Sequence, residues 1–422
     1  MTVSANNLTP DQLKERLAPV ALGGEILSYS FARCFYEEYG VKTIVVSAVD
    51  VRATSSSRLV DYRVTESMAN GDEAVMEYLR GLGAELAAAG KVPIIFGSAD
   101  WHARILSKNK EELSQWFVVP YVDFELLDDI TQKERFYELC DELDIPYPKT
   151  WMFACDDPEA RAKAETLAYP LIAKPSNSAL YDLMTFEGKE KVYEVRSADE
   201  LMRVLDMLRD AGYHQELVVQ DFIPGDDDAI RSLTTFSDAS GEVRVVSGGR
   251  VVLQDHSPIR IGNPMCILPE RVDEIVDAAK RFCKRVGYRG FGNFDIKYDS
   301  RDGAFKFFEI NTRPGRNTYY MALGGANIAK LLVDEYILGR EIPYQEAYGE
   351  TLYTCVPRKV VEAHVVDGHL RQQVLEKYDA RQFGYPYDWS GDTLAHKFWS
   401  KVTWSHQVQK FDRYMPRVPS AR

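Results

Sequence analysis

The chain has 422 residues, more than one hydrophobic core usually serves, so about two to four lobes are expected. Hydrophobic residues at 45% and charged ones at 27% exclude global disorder, and 51 basic against 64 acidic residues, a formal −13, argue against a broad nucleic-acid surface. Six cysteines (34, 140, 155, 266, 283 and 355) form no close pair that would suggest zinc or a disulfide framework, and with neither a signal peptide's apolar core nor a run of 18 apolar residues a cytoplasmic protein is expected.

After a polar leader, residues 19–24 (PVALGG) read as a strand that ends in paired glycines, followed by a helix through about Tyr39. Apolar runs at 42–49 and 92–97, separated by helical stretches such as 71–90, make 1–127 a doubly wound α/β domain. The stretch 128–145 (DDITQKERFYELCDELDI) then predicts one helix, capped by acids and Thr131 and stopped before Pro146 and Pro148. Strand-like runs at 169–176, 191–197, 217–223, 242–254, 293–300 and 304–311, with helical periods at 198–211 and 271–287, predict an α+β unit of two lobes, 128–215 and 216–340. Residues 341–422 mix Pro, Trp and Tyr with Lys397, Lys401, Lys410, Arg413 and Arg417; a solvated helix face is the first reading, an anionic substrate or membrane contact the second.

Chemistry concentrates in GNFDIKYDSRDGAFKFFEINTRPG at 292–315. A turn at 300–303 would set Asp295 on one strand beside Glu309 and Asn311 on the next, and residues two apart share a face. Three hard oxygen donors suit Mg²⁺, which takes one or two carboxylates plus phosphate oxygens; a solvent-facing acidic pair is the alternative. Lys174, at the end of the apolar run YPLIAKP, and Lys133 offer point charges to phosphates, although either could be simply solvated. In LVVQDFIPGDDDAIRSL (217–233), the break at Pro224-Gly225 exposes backbone near Asp221, Phe222 and Ile223 that can pair with a purine edge, and an acid shortly after it can accept ribose hydroxyls; a polar turn would look the same.

Taken in order, Lys133, Lys174, Gln220 to Ile223, Asp227, Asp295, Glu309 and Asn311 resemble the ATP-grasp superfamily. The resemblance implies an N-terminal doubly wound pre-ATP-grasp domain before a two-lobed ATP-grasp fold that clasps ATP. It implies Lys133 and Lys174 on phosphates, Gln220 and the backbone of Asp221, Phe222 and Ile223 on adenine, Asp227 on ribose, and Asp295, Glu309 and Asn311 on Mg²⁺. The segments SFARCFYEEYG, YVDF, ITQKERFYELCDELDIPYPKT, TFEGKEKVY, VQDFIPGDD, GNFDIKYDSRDG and FFEINTRPGR are similar to D-aspartate ligases of peptidoglycan synthesis, over most of 20–335.

Such enzymes activate the side-chain carboxylate of D-aspartate as an acyl phosphate and couple it to the side-chain amine of lysine, or ornithine, in a cell-wall precursor such as a nucleotide-linked muropeptide. Lys174 would act on the transferring phosphoryl group. Arg313 and Arg316 would grip the amino acid, with Arg260 and Asn263 behind them, while the arginines could also be surface residues. His256 is either a proton acceptor for the amine or a structural histidine. The sequence departs from the glycine-rich phosphate loop of many ATP-grasp enzymes, since 176–191 holds one glycine, Gly188. Another ATP-grasp amino-acid or dipeptide ligase and a non-catalytic nucleotide-binding protein are the competing readings, and the oligomeric state is open.

Overall fold

The structure is a computed structural model and describes residues 8–176, 180–181, 184–258 and 260–418. The expected leader holds a short helix, Pro10–Arg16, closed by a capping box between Thr9 and Gln12. Four parallel strands follow, β1 (Leu17–Leu22), β2 (Thr43–Ser47), β3 (Val60–Val64) and β4 (Val92–Gly97), in the order β3-β2-β1-β4. β1, β2 and β4 are buried along their whole length because helices cover both faces, which is why they read as continuous apolar runs. β3 carries charged residues in VDYRV and escapes the apolar-run criterion. After β1 the chain builds outward to β2 and β3 and then returns to place β4 on the other side of β1, so a crevice opens where β1 and β4 end.

The next stretch differs from the single helix expected at 128–145. Two helices, Phe124–Thr131 and Lys133–Glu142, break at Gln132, whose backbone is extended. Thr131 does not cap the second helix; its hydroxyl bonds back to the Leu127 carbonyl at 2.8 Å. Lys133 thereby becomes the first residue of a new helix instead of an interior one.

A second sheet of β5 (Thr150–Ala154), β6 (Leu171–Pro175), β7 (Tyr193–Val195) and β8 (Glu216–Asp221) is antiparallel in the order β5-β8-β6-β7. β8 pairs with both β5 and β6, so this small lobe extends to Asp221, past the boundary expected at 215. The third sheet contains β9 (Ile230–Ser237), β10 (Val243–Gln254), β11 (Pro264–Pro269), β12 (Gly290–Asp299) and β13 (Ala304–Asn311). It is completed by β14 (Gln345–Glu346), β15 (Leu352–Thr354) and β16 (Phe383–Gly384), in the order β13-β12-β9-β10-β11-β15-β16 with β14 against β10. Residues beyond 341 are thus woven into the large lobe's sheet and end in the helix Leu394–Tyr414.

The cores divide differently from the sheets. One apolar cluster joins Phe31 and Phe96 of the first domain to Phe291, Tyr353 and Val361, and a second joins Ile95 and Tyr121 to Leu233, Phe282 and Phe294. The small lobe keeps its own, built from Phe153, Leu171, Tyr193, Leu205 and Leu217. All six cysteines are buried thiols, and among the described residues no helix is long and apolar enough to cross a membrane.

Candidate functional site

At one end of the cleft the β12–β13 hairpin sets Asp295 directly across from Glu309, and Asn293 across from Asn311. The Asn311 amide donates from Nδ2 to Asp295 Oδ2 at 3.1 Å, which leaves its Oδ1 as the third oxygen donor. Lys133, at the start of its helix, brings Nζ to 2.7 Å from Glu309 Oε2. Leu171, Ala173 and Pro175 of β6 point into the small-lobe core, so Lys174 points the other way, with its ammonium 5.5 Å from the Phe308 ring centroid.

The electrostatics of this group are unbalanced in two directions. Burial, and then the neighbouring Lys133, push the Lys174 ammonium down to about 7. Burial, and then Glu309, push the Asp295 carboxyl well above the ordinary carboxylate range. Lys133 holds Glu309 well below the ordinary carboxylate range, and Glu309 in return holds Lys133 above its usual value against the opposing effect of burial. A carboxylate short of a cation therefore lies close to an ammonium short of an anion. The donor chemistry of Asp295, Glu309 and Asn311 fits Mg²⁺, and the two lysines fit the phosphates that Mg²⁺ prefers as further ligands. Among the described residues no group of three or more His, Cys, Asp and Glu gathers, and the set here has two acids completed by an amide.

Gln220, at the end of β8, is buried. Its Nε2 donates to Tyr137 Oη at 2.6 Å and to Thr150 Oγ1 at 2.8 Å, while its buried Oε1 has no partner among the described residues. An orphaned buried acceptor beside the lobe crossing suits an exocyclic amine. The Asp221 N–H is taken by the Lys149 carbonyl at 3.0 Å, and the Phe222 ring lies 5.8 Å from Lys297 Nζ. That ammonium also donates to the Ile223 and Gly225 carbonyls at 2.8 and 2.9 Å, so at Ile223 it is the N–H that is left for a ligand. The Asp227 carboxylate is buried and already accepts from the Gln254 N–H at 2.8 Å and from His256 Nε2 at 2.9 Å. That hydrogen bond raises the His256 pKa above its ordinary value. His256 thus belongs with Asp227.

The other end of the cleft is the crevice between β1 and β4. Gly23 follows β1 at φ +89°, and a Cβ on Gly24 would lie 1.9 Å from Tyr62 Oη, so the glycine pair lets the chain turn tightly into Glu25. Glu25 accepts from Arg316 Nη1 at 2.6 Å and from Arg260 Nη2 at 3.1 Å. One strand over, Asp100 accepts from Arg313 Nε and Nη2 at 2.7 and 2.9 Å. Burial lowers the Arg316 guanidinium, and Glu25 together with the nearby Cys355, Tyr353 and Tyr387 more than restores it. Asn263 shapes the Arg260 loop by donating to the Arg260 carbonyl at 2.7 Å. Lys191 reaches the next carbonyl, Ile261, at 3.4 Å, and its charge acts on both Asp295 and Glu309.

Glu25, Asp100 and Lys191 were not singled out from the sequence. For Glu25 the available signal was its place directly after a strand and two glycines. Two guanidiniums converging on one carboxylate can exchange partners with a ligand that carries both carboxylate and ammonium groups.

No family model matches the chain. It is 30% identical over 413 residues, 96% of each chain, to the D-aspartate ligase of Enterococcus faecium (strain Aus0004). It is 26% identical over 215 residues, 49% of this chain and 62% of the relative, to the D-alanine–D-alanine ligase of Pseudomonas putida (strain GB-1). The fold recurs in solved structures. The L-amino acid ligase from Bacillus licheniformis has a TM-score of 0.55 at 17% identity, covering 76% of this chain and 74% of that one. The biotin carboxylase domain of the Hydrogenobacter thermophilus 2-oxoglutarate carboxylase, in complex with MgADP, ADP and bicarbonate, has a TM-score of 0.56 at 16% identity, covering 79% and 72%.

Proposed function

The chain belongs to the ATP-grasp ligases, and from that footing we propose that it activates the side-chain carboxylate of D-aspartate with ATP and joins it to the side-chain amine of lysine, or ornithine, in a peptidoglycan precursor. The observation that carries the acid is the Glu25, Arg260 and Arg316 group, whose two cations and one anion complement an amino dicarboxylic acid. Similarity along nearly the whole length to an enterococcal D-aspartate ligase supports the same choice.

Lys133 and Lys174 hold the triphosphate, and Asp295, Glu309 and Asn311 hold Mg²⁺, which when bound neutralises charge on the phosphoryl oxygens. Gln220 Oε1 and the Ile223 N–H receive the adenine, and Asp227, presented by His256, lies toward the ribose. The carboxylate oxygen of the acid attacks the γ-phosphorus and ADP leaves; the amine then attacks the acyl carbon, loses a proton, and inorganic phosphate departs. Arg313, clamped by Asp100 between the two ends, steadies the acid as charge moves from carboxylate to phosphate. An enzyme that draws on ATP and a nucleotide-linked muropeptide acceptor would work in the cytoplasm.

The test is phosphate release from ATP and Mg²⁺ with D-aspartate, L-aspartate and D-alanine, each with and without an L-lysine-containing muropeptide. Release that requires D-aspartate and the amine is expected. Release driven by a different acid would assign another amino-acid or dipeptide ligase, and no acid-dependent release would overturn the ligase reading.

A further inference from the structure

The segment beyond residue 341 reaches the acid pocket through one hydroxyl. Tyr387 is buried, and its Oη lies 3.1 Å from Thr54 Oγ1, which donates at 2.7 Å to the Gly24 carbonyl. Thr54 has one hydroxyl hydrogen and spends it on Gly24, so Tyr387 is the donor in the other bond. A chain of two hydroxyls thus ends on the peptide that leads into Glu25, and hydrogen bonds in such a series reinforce one another. Arg316 and Glu25 are both near enough for their charges to act on the Tyr387 hydroxyl.

Tyr387 is itself held from several sides. Its carbonyl accepts from the buried His396 at 2.8 Å, and its ring lies 4.8 Å from that of Tyr29. The flanking carbonyls of Pro386 and Asp388 each accept from Arg33 Nη1 at 3.0 Å. Nearby, the Asp392 carboxylate accepts from Tyr29 Oη at 3.0 Å, Ser57 Oγ at 2.5 Å, the Arg58 N–H at 2.9 Å and the Thr393 N–H at 2.7 Å. Three of these four donors, on Tyr29, Ser57 and Arg58, come from the first domain and lock the segment onto it.

We propose that Tyr387 is a positioning residue for acid selection, fixing Glu25 against Arg316 through Thr54 and the Gly24 carbonyl. The proposal rests on reading that group as the acid pocket. It gives the C-terminal segment a role in acid selection beside that of Arg260 and Arg316 of the large lobe.

Tyr387→Phe in the full-length protein, assayed by acid-dependent phosphate release, should raise the KM for the activated acid about three- to tenfold and leave the KM for ATP unchanged. Thr54→Val should do the same and Thr54→Ser should not. The double variant Thr54→Val/Tyr387→Phe should be no worse than the poorer single one, since both act through one chain. Unchanged acid KM in Tyr387→Phe, even with a lowered unfolding temperature, would overturn the proposal, as would effects that multiply in the double variant. Loss of the pocket reading itself would show separately, as a Glu25→Gln variant with wild-type acid KM.

Discussion

Replacing Glu25 with Gln keeps the size of the side chain and removes the charge that Arg316 and Arg260 share. If the substrate's ammonium takes over that carboxylate, the variant loses one charge-assisted hydrogen bond, worth about 1.5–3 kcal/mol. The Glu25 side chain is 43% exposed, which argues for the lower end, about 1.5 kcal/mol or roughly tenfold in kcat/KM. Phosphate release against D-aspartate concentration, at saturating ATP and acceptor, measures this directly. Succinate, the same dicarboxylate without the amine, supplies the internal control: whatever weak turnover or inhibition it shows should hardly change. The KM for ATP should also hold, because the residues proposed for the nucleotide lie at the other end of the cleft. Equal losses for D-aspartate and succinate would refute the assignment of the ammonium to Glu25, and no loss for either would remove Glu25 from the pocket.

Glu309→Gln should cut turnover by more than about 100-fold with the fold preserved, since it removes a metal-binding charge from a partly exposed side chain and deprives Lys133 of its partner; turnover within tenfold of wild type would contradict the metal assignment. The hydrogen bond with Asp227 raises His256, so its stabilising contribution is complete below about pH 6.5, the value of the unfolded chain, and is lost as pH rises through the folded value. Unfolding temperatures of wild type and His256→Asn should therefore converge as pH climbs from 6 toward 9, and parallel curves would refute the linkage. Tyr29→Phe should destabilise by about 2 kcal/mol, because it strips a hydroxyl donor from the buried Asp392 carboxylate, and chemical denaturation would register it; an unchanged midpoint would mean that Ser57 and the backbone donors suffice.

What the sequence discloses about this molecule follows sequence distance. Asp295 and Glu309 are joined by a short turn, so their pairing could be read from alternation and from Asp302-Gly303. The parallel strands of the first domain were legible where both faces are covered, at β1, β2 and β4, and not at the polar edge strand β3. Nothing local marks Glu25 as the partner of an arginine 291 residues away, or Asp100 as that of one 213 residues away. The single helix expected at 128–145 failed because Thr131 has two uses for its hydroxyl, capping forward or bonding back, and periodicity cannot choose between them. The resemblance to a family supplied the order of the nucleotide residues, which patterning alone left ambiguous at each position.

The separate apolar interior of the small lobe has a consequence for how reactants load. Swinging that lobe outward would uncover little oily surface, whereas prying the first domain from the large sheet would tear two continuous interiors. On the proposed assignment, nucleotide would come and go past a swinging jaw while the residues assigned to the amino acid stay fixed relative to each other. An acid already seated would keep its grip through the exchange of ADP for ATP, and cooperativity between the two ligands would be expressed in the jaw's closing rates more than in the shape of the acid's socket.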